Sequence, residues 1–188
     1  MKKTIILLSF LLSFTAGFRA YAQSTSVSTD LVKTAWLGTL NMDAGSSVTR
    51  HITIHAGLTY NPWEFRNSAG AQMYDRQKGI YAGARYWPWY VFSGWWFEGR
   101  LQYKDFSRTG IWRPALETAK SLGAGLAFGY NLMLHDNLNI ELGAGIWGGR
   151  DFEHILYECP ECMRIREQGP RNFIRPDYIS VSLMYVFQ

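Results

Sequence analysis

The feature that most constrains the fold is a strict alternation of polar and apolar residues, clearest between Gly94 and Phe106. One set of alternate positions carries Trp96, Glu98, Arg100, Gln102 and Lys104. The other set carries Trp95, Phe97, Gly99, Leu101 and Tyr103. Because successive side chains of a β-strand point to opposite faces, the segment predicts a strand with one mostly polar face and one apolar face.

The same alternation recurs in five further segments. They are His51 to Asn61, Gly79 to Trp87, Ser121 to Leu134, Asn139 to Trp147 and Tyr178 to Phe187. Leu31 to Leu37 and Thr39 to Val48 supply two more strands as a short first hairpin. Alternating segments of about ten residues, separated by turns, are typical of outer-membrane barrels. The sequence therefore predicts an all-β fold, an eight-stranded antiparallel transmembrane up-and-down β-barrel of the OmpA-like kind, filled by side chains and without an open channel.

The N-terminus has the order of a secretory signal peptide. Lys2 and Lys3 precede the apolar run Ile5 to Phe14, and the small-residue site Ala20-Tyr21-Ala22 follows. The apolar run is shorter than the ~20 residues that a membrane helix needs. We therefore predict a cleaved signal peptide at residues 1–22, a flexible lead-in at 23–30 and an outer-membrane barrel domain at 31–188.

The charge balance argues against a nucleic-acid partner. The full chain has 19 Lys and Arg residues and 15 Asp and Glu residues. Loss of Lys2, Lys3 and Arg19 with the signal peptide leaves 16 basic residues against 15 acidic ones. Nucleic-acid-binding domains carry a clear basic excess, so we expect no nucleic-acid partner.

Alternation alone does not decide which face of the barrel is inside. A soluble lipocalin-like barrel would turn its apolar face inward, around an apolar ligand. Three features favour the membrane barrel: the polar face is rich in glycine, aromatic residues gather near strand ends, and the closing Tyr185 and Phe187 resemble the aromatic C-terminal signal of outer-membrane barrels. Short connections alternate with long ones, which predicts short periplasmic turns and longer external loops.

Eight of the twelve residues from Tyr86 to Phe97 are aromatic. Trp and Tyr collect at membrane–water interfaces because their rings are amphipathic. We predict that the segment wraps a periplasmic turn and forms an interfacial girdle. The girdle comprises Tyr86, Trp87, Trp89, Tyr90, Trp95 and Trp96. A packing cluster in a soluble core is the alternative.

Several charged residues fall on the polar, lumen-facing side of the predicted strands. They are Arg85, Glu98, Arg100, Lys104 and Glu141, with His55 beside them. An unpaired charge in a closed interior costs several kcal/mol, so we predict an interstrand salt-bridge network that plugs the barrel. A proton or ion path along the same residues is the alternative.

No catalytic, metal or cofactor constellation stands out. His154 with Asp151 and Glu153 is interpreted as a solvated cluster in the last long loop. Cys159 and Cys162 form a CxxC in that loop, and outside the cytosol a disulfide is the simplest interpretation. A redox pair or a zinc site are the alternatives. The continuation Met163 to Arg171 is rich in Arg and Glu and predicts an exposed surface able to contact lipopolysaccharide phosphates or a protein partner.

Several segments together resemble the family called domain of unknown function 3575. They are Lys33-Thr34, GLTYNPWEF (57–65), GARYWPW (83–89), GAGLAFGY (123–130), IELGAGIWGG (140–149) and ISVSLMYVF (179–187). The resemblance implies a small outer-membrane barrel from Bacteroides-like bacteria, in a family partly associated with fimbrillin-type surface pili. It implies no catalytic residue.

We therefore expect a non-enzymatic outer-membrane protein with a structural, anchoring or accessory role in the cell envelope or in a fimbria-type surface assembly. Its expected partners are outer-membrane lipid, lipopolysaccharide and surface or fimbrial proteins, and no cofactor is expected. The alternatives are an outer-membrane lipid-modifying enzyme and a soluble lipocalin-like carrier of an apolar ligand.

Overall fold

A computed structural model describes residues 24–66, 72–109, 115–158 and 164–187. The predicted signal peptide, Cys159 and Cys162 lie outside the described residues. The elements are β1 (Thr25–Asp30), α1 (Leu31–Ala35), β2 (Leu40–Ser47), β3 (Ile52–Asn61), β4 (Glu64–Arg66), β5 (Gln72–Tyr86), β6 (Gly94–Thr109), β7 (Leu116–His135), β8 (Leu138–Tyr157), β9 (Ile165–Gln168) and β10 (Arg171–Phe187). Among the described residues, no helix has the length and apolar character that crossing a membrane requires.

Eight of these strands close into a barrel. Their order around the wall is β10, β1, β2, β3, β5, β6, β7 and β8, and β8 pairs with β10 to complete the ring. Every one of these pairings is antiparallel. The strands β4 and β9 lie outside the ring and extend β5 and β8 as hairpins. The predicted eight-stranded antiparallel barrel is confirmed.

Short and long connections lie at opposite ends of the barrel. Residues 48–51, 87–93 and 136–137 make the turns at one end, which we call the short-turn end. Thr25 pairs with Phe187 at the same end. The hairpins of β4 and β9 rise from the opposite end, which we call the long-loop end. This alternation agrees with the pattern of connection lengths in the sequence.

Of the predicted first hairpin, the second strand, Thr39 to Val48, corresponds to β2, but the first strand, Leu31 to Leu37, was wrong. The first strand is Thr25–Asp30, inside the predicted lead-in, and the predicted strand from Leu31 is the helix α1, which contains Lys33 and Thr34. Ser26 and Ser28 are buried, because only small side chains fit the crowded interior at this point. Asp30 then caps α1 by accepting a hydrogen bond from the Val32 amide at 3.0 Å.

The outer wall of the barrel is apolar and its interior is polar. Leu101 and Leu126 are 68 % exposed and Ile179 is 76 % exposed, whereas Arg100 is 6 % exposed and Glu98 is 3 % exposed. The alternation of β6 therefore places its apolar set outside. A soluble carrier would need the opposite arrangement, with the apolar side chains inside.

Candidate functional site

The interior is the candidate site, and it is built in three layers from the short-turn end to the long-loop end. The apolar plug consists of Trp87, Phe92, Trp96, Met184 and Val186. The central charge network consists of Asp43, His55, Arg85, Glu98, Arg100 and Glu141. The rim charge network consists of Arg108, Glu117, Asp151, His154, Arg171 and Arg175.

The apolar plug closes the short-turn end. Trp87 and Phe92 meet edge to face with ring centroids 5.8 Å apart, and the Trp87 indole donates to the Thr53 hydroxyl at 3.1 Å. Trp96 fits only because its neighbours on β7 and β8 are glycines. A Cβ added to Gly129 would clash with the Trp96 ring. The plug therefore depends on one large ring lying against bare backbone.

Two of the six residues predicted for the aromatic girdle belong to this plug. Trp87 and Trp96 are fully buried, so they do not lie on the outer surface. Trp96 shares the inward parity of Glu98, and the Trp87 amide donates to the carbonyl of His51, which folds that ring into the mouth of the barrel. The other four, Tyr86, Trp89, Tyr90 and Trp95, are exposed on the outside.

Arg85 is the centre of the first half of the central charge network. Its Nε donates to Glu98 at 2.7 Å and its Nη1 donates to Glu141 at 2.8 Å. The guanidinium also lies 4.6 Å above the Trp96 ring, a cation–π distance that joins the network to the apolar plug. One cation on β5 therefore ties β6 and β8 together across the lumen.

Glu98 is the centre of the second half. His55 Nε2 and Arg100 Nη1 both lie 3.5 Å from Glu98 Oε1. The other ring nitrogen of His55 lies 3.0 Å from Asp43 Oδ2. Sequence reasoning missed Asp43, although it is an acidic residue in the predicted second strand. The predicted pairing of lumen charges is present for five of the six named residues.

Lys104 is the sixth residue, and the structure does not bring it into this network. It lies on β6 beyond Arg100, toward the long-loop end, and its amine is 6.0 Å from the centre of the Phe106 ring. Within the described part of the chain, no carboxylate lies within ion-pairing distance of its amine. Lys104 instead lines a separate cavity of about 260 Å³ beside α1.

The central charge network leaves almost no free space. The cavity between Asp43, Arg85, Arg100 and Glu141 has a volume of about 20 Å³. A cavity needs a volume of roughly 10–15 Å³ to hold one water molecule. The barrel is therefore closed to solutes at this level.

The rim charge network is centred on Asp151. This buried carboxylate accepts hydrogen bonds from the Ser121 hydroxyl and, at 2.9 Å, from both Arg171 Nε and Arg175 Nη2. Arg171 also donates to Glu117 at 2.6 Å. Burial alone would raise the pKa of Glu117, but the neighbouring guanidiniums of Arg108, Arg171 and Arg175 outweigh it and hold that pKa below its usual value.

The interpretation of Asp151 and His154 as solvated loop residues was wrong. Asp151 is fully buried and His154 is 1 % exposed, because β8 continues through them to Tyr157. A β-bulge at this point, where Lys120 pairs with Glu153 and Ser121 with Asp151, breaks the alternation, so the charged end of β8 resembles a loop in sequence. Glu153 is exposed and pairs with Lys120 at 2.6 Å.

The rim charge network does not form a catalytic triad. Ser121, the serine beside this network, donates a hydrogen bond from its hydroxyl to Asp151. A nucleophilic serine needs a hydrogen bond to a histidine base, and among the described residues neither ring nitrogen of His154 makes a hydrogen bond. No group of three or more His, Cys, Asp or Glu residues in the described segments has the geometry of a metal site.

The family comparison agrees with the resemblance of the strand motifs. A family model with the description "Protein of unknown function (DUF3575)" matches residues 5–187. No curated protein and no solved structure is significantly similar to the chain.

Proposed function

The chain belongs to the DUF3575 family, and from that premise we propose that it is a non-enzymatic β-barrel of the bacterial outer membrane with a structural, anchoring or accessory role in the cell envelope. One observation supports this proposal above the others. Most large apolar side chains of the wall point outward and are exposed, whereas the charged side chains of the central charge network are buried and paired. An apolar surface of this extent needs a nonaqueous surrounding.

The height of the apolar band supports a bilayer as that surrounding. On β6 the band runs from Trp95 to Tyr103, and Asp105 follows on the same face. At a rise of ~3.3 Å per residue and a tilt of about 40°, this length spans roughly 23 Å, close to the ~25 Å band of outer-membrane barrels. Lys78, Lys120 and Arg150 bound the band at the same end on neighbouring strands.

The alternation of turn lengths supports an orientation. Short turns face the periplasm in bacterial barrels, which would place the long-loop end outside the cell. Tyr86, Trp89, Tyr90 and Trp95 would then form the periplasmic part of the interfacial girdle. The exposed strand β9 and the β4 hairpin would present polar surfaces to lipopolysaccharide or to a surface assembly of the fimbrial type.

The filled interior supports a structural role over transport. At the level of the central charge network the lumen has no path for a solute, and the paired charges tie opposite strands of the wall together. A closed, cross-braced barrel is a rigid base from which external hairpins can hold a partner. Protein partners are therefore expected to be contacted by the external hairpins.

Cell fractionation combined with gel mobility tests this proposal. Outer membranes are isolated, and the protein is run in detergent with and without boiling, beside a periplasmic marker protein. A closed barrel in the outer-membrane fraction should run faster unheated than boiled. Recovery of the protein in the soluble periplasmic fraction, with one mobility under both conditions, would contradict the proposal.

A further inference from the structure

The barrel wall has a notch between β10 and β2. Residues 171–181 of β10 pair with β8 on one side, and β1 reaches only residues 182–187 on the other. Within the described residues, no strand pairs with that upper edge of β10. The helix α1 lies beside it instead. Asn41 of β2 holds the start of α1 by donating to the Asp30 carbonyl at 3.0 Å.

A cavity of about 260 Å³ lies beside α1. Its lining includes the inward-facing Gln77 and Gln102, which are buried, and also Val32, Trp36 and Ile179, whose side chains are exposed on the outside. The lining therefore runs from the lumen to the outer wall. We call this cavity the lateral vestibule.

The charges of the lateral vestibule favour an anion. Lys33, Lys104 and Asp75 line it, so two amines face one carboxylate. Lys33 has a long ion pair with Asp30 at 3.7 Å, and Asp75 accepts a hydrogen bond from the Trp36 indole at 3.2 Å. Lys104 contributes a positive charge deep in the lumen without a carboxylate at ion-pairing distance among the described residues. Lys104 is only partly exposed, so an anionic ligand that replaced its remaining hydration would gain a charge-assisted hydrogen bond.

The apolar part of the lining favours a hydrocarbon chain. Val32 and Ile179 lie where the vestibule meets the outer wall. The vestibule volume of about 260 Å³ lies just below the ~300–1,000 Å³ range of ligand pockets. It therefore suits a head group and the first carbons of a chain.

We propose that the lateral vestibule binds a monoanionic amphiphile of the long-chain carboxylate type, with the carboxylate at Lys104 and Lys33 and the chain leaving the barrel past Val32 and Ile179. The amide group of Gln77, which also lines the vestibule, supplies a further hydrogen-bond donor to the head group. The path of the chain into lipid rests on the proposed membrane location.

Tryptophan quenching by a brominated long-chain fatty acid tests the site. The full chain, folded in a nonionic detergent, is titrated with this acid and, separately, with its methyl ester. Trp36 lines the vestibule, so bound acid should quench a saturable fraction of the fluorescence, and Trp36→Phe should remove that fraction. The ester lacks the charge and should give only the unsaturable quenching that accompanies partition into the micelle.

Lys104→Gln should weaken the saturable binding by about tenfold, because a charge-assisted hydrogen bond is lost. The matched control is Lys78→Gln on the outer wall, which should leave the affinity unchanged. Equal quenching by acid and ester in the unmodified protein, or equal affinities of the two lysine variants, would overturn the proposal. Heat-dependent gel mobility, measured on each sample, reports the barrel itself, so a barrel that binds nothing is distinguished from a chain that forms no barrel.

Discussion

The central and rim charge networks use the same chemistry in different surroundings. In the central network the side chains of Arg85 and Glu98 are 8 % and 0 % exposed, and the apolar plug seals them from below. In the rim network the side chains of Arg171 and Glu117 are 34 % and 25 % exposed, although Asp151 is buried. A charge that loses its partner can turn to water at the rim but not in the centre. Breaking an ion pair should therefore cost more stability in the central charge network than in the rim charge network.

Glu98→Gln should have the largest effect. It removes the carboxylate shared by Arg85, Arg100 and His55, and breaking a buried ion pair typically costs about 3–5 kcal/mol. The temperature at which the folded gel band disappears should fall markedly. Glu153→Gln, which breaks an exposed pair with Lys120, is the matched control and should change that temperature little. Unchanged melting of the Glu98 variant would count against the salt-bridge plug.

Gly129→Ala should cause the next largest loss of stability. It disturbs the packing of Trp96 in the apolar plug, which closes the barrel beneath the central charge network. The new methyl group would press on Trp96 and on the Leu142 carbonyl, and overpacking costs about 1–3 kcal/mol. Gly99→Ala is the control, since a Cβ there meets nothing within 4 Å. Thermal unfolding of the two variants should differ clearly. Equal stabilities would show that Trp96 is not tightly held.

Asp151→Asn should cost less than either Glu98→Gln or Gly129→Ala, about 1.5 kcal/mol, because the asparagine keeps one acceptor oxygen and only weakens the charge-assisted hydrogen bonds. Arg171 and Arg175 keep contact with solvent and can be rehydrated when the carboxylate is gone. Urea unfolding in lipid vesicles measures both variants on one scale. A greater loss for Asp151→Asn than for Glu98→Gln would reverse the ranking of the two networks.

Protonation of Glu117 in the rim charge network at low pH should have the smallest effect on stability. The folded-state pKa of Glu117 is lowered, so the unfolded state binds its proton more readily as pH falls. Its contribution is therefore present above the unfolded pKa of about 4.3 and is lost as pH falls through the lower folded value. The stability difference between the natural chain and Glu117→Gln should shrink below about pH 4. A difference that grows on acidification would contradict the lowered pKa.

Alternation predicted most of the wall, since a period of two fixes the inward and outward faces of β6 without other information. The prediction from alternation failed where the residues of a strand have the composition of a linker or a loop. Thr25–Asp30 is a strand made of small polar residues, and it resembles a linker. A β-bulge interrupts the alternation at the charged ends of β7 and β8, so these ends resembled loops.

The sequence predicted part of the candidate site and missed the rest. Arg85, Glu98 and Glu141 lie on one face of their strands, so their meeting in the lumen followed from register. Trp96 has the same inward parity, but its residue type suggested an interface. The lateral vestibule was not predicted, because it depends on where β1 stops and α1 begins, and a cap at Asp30 decides that boundary.

The apolar face of the wall should meet lipid while the polar face is sealed inside. Single nitroxide labels at Leu101→Cys and Gln102→Cys, each in a chain with Cys159→Ser and Cys162→Ser that is reconstituted into lipid vesicles, distinguish the two faces. Collisions with oxygen, which concentrates in the bilayer, should be frequent at residue 101 and rare at residue 102, and a water-soluble nickel complex should reach neither. Frequent collisions of the nickel complex with the label at residue 101 would show that the apolar face of the wall meets water and not lipid.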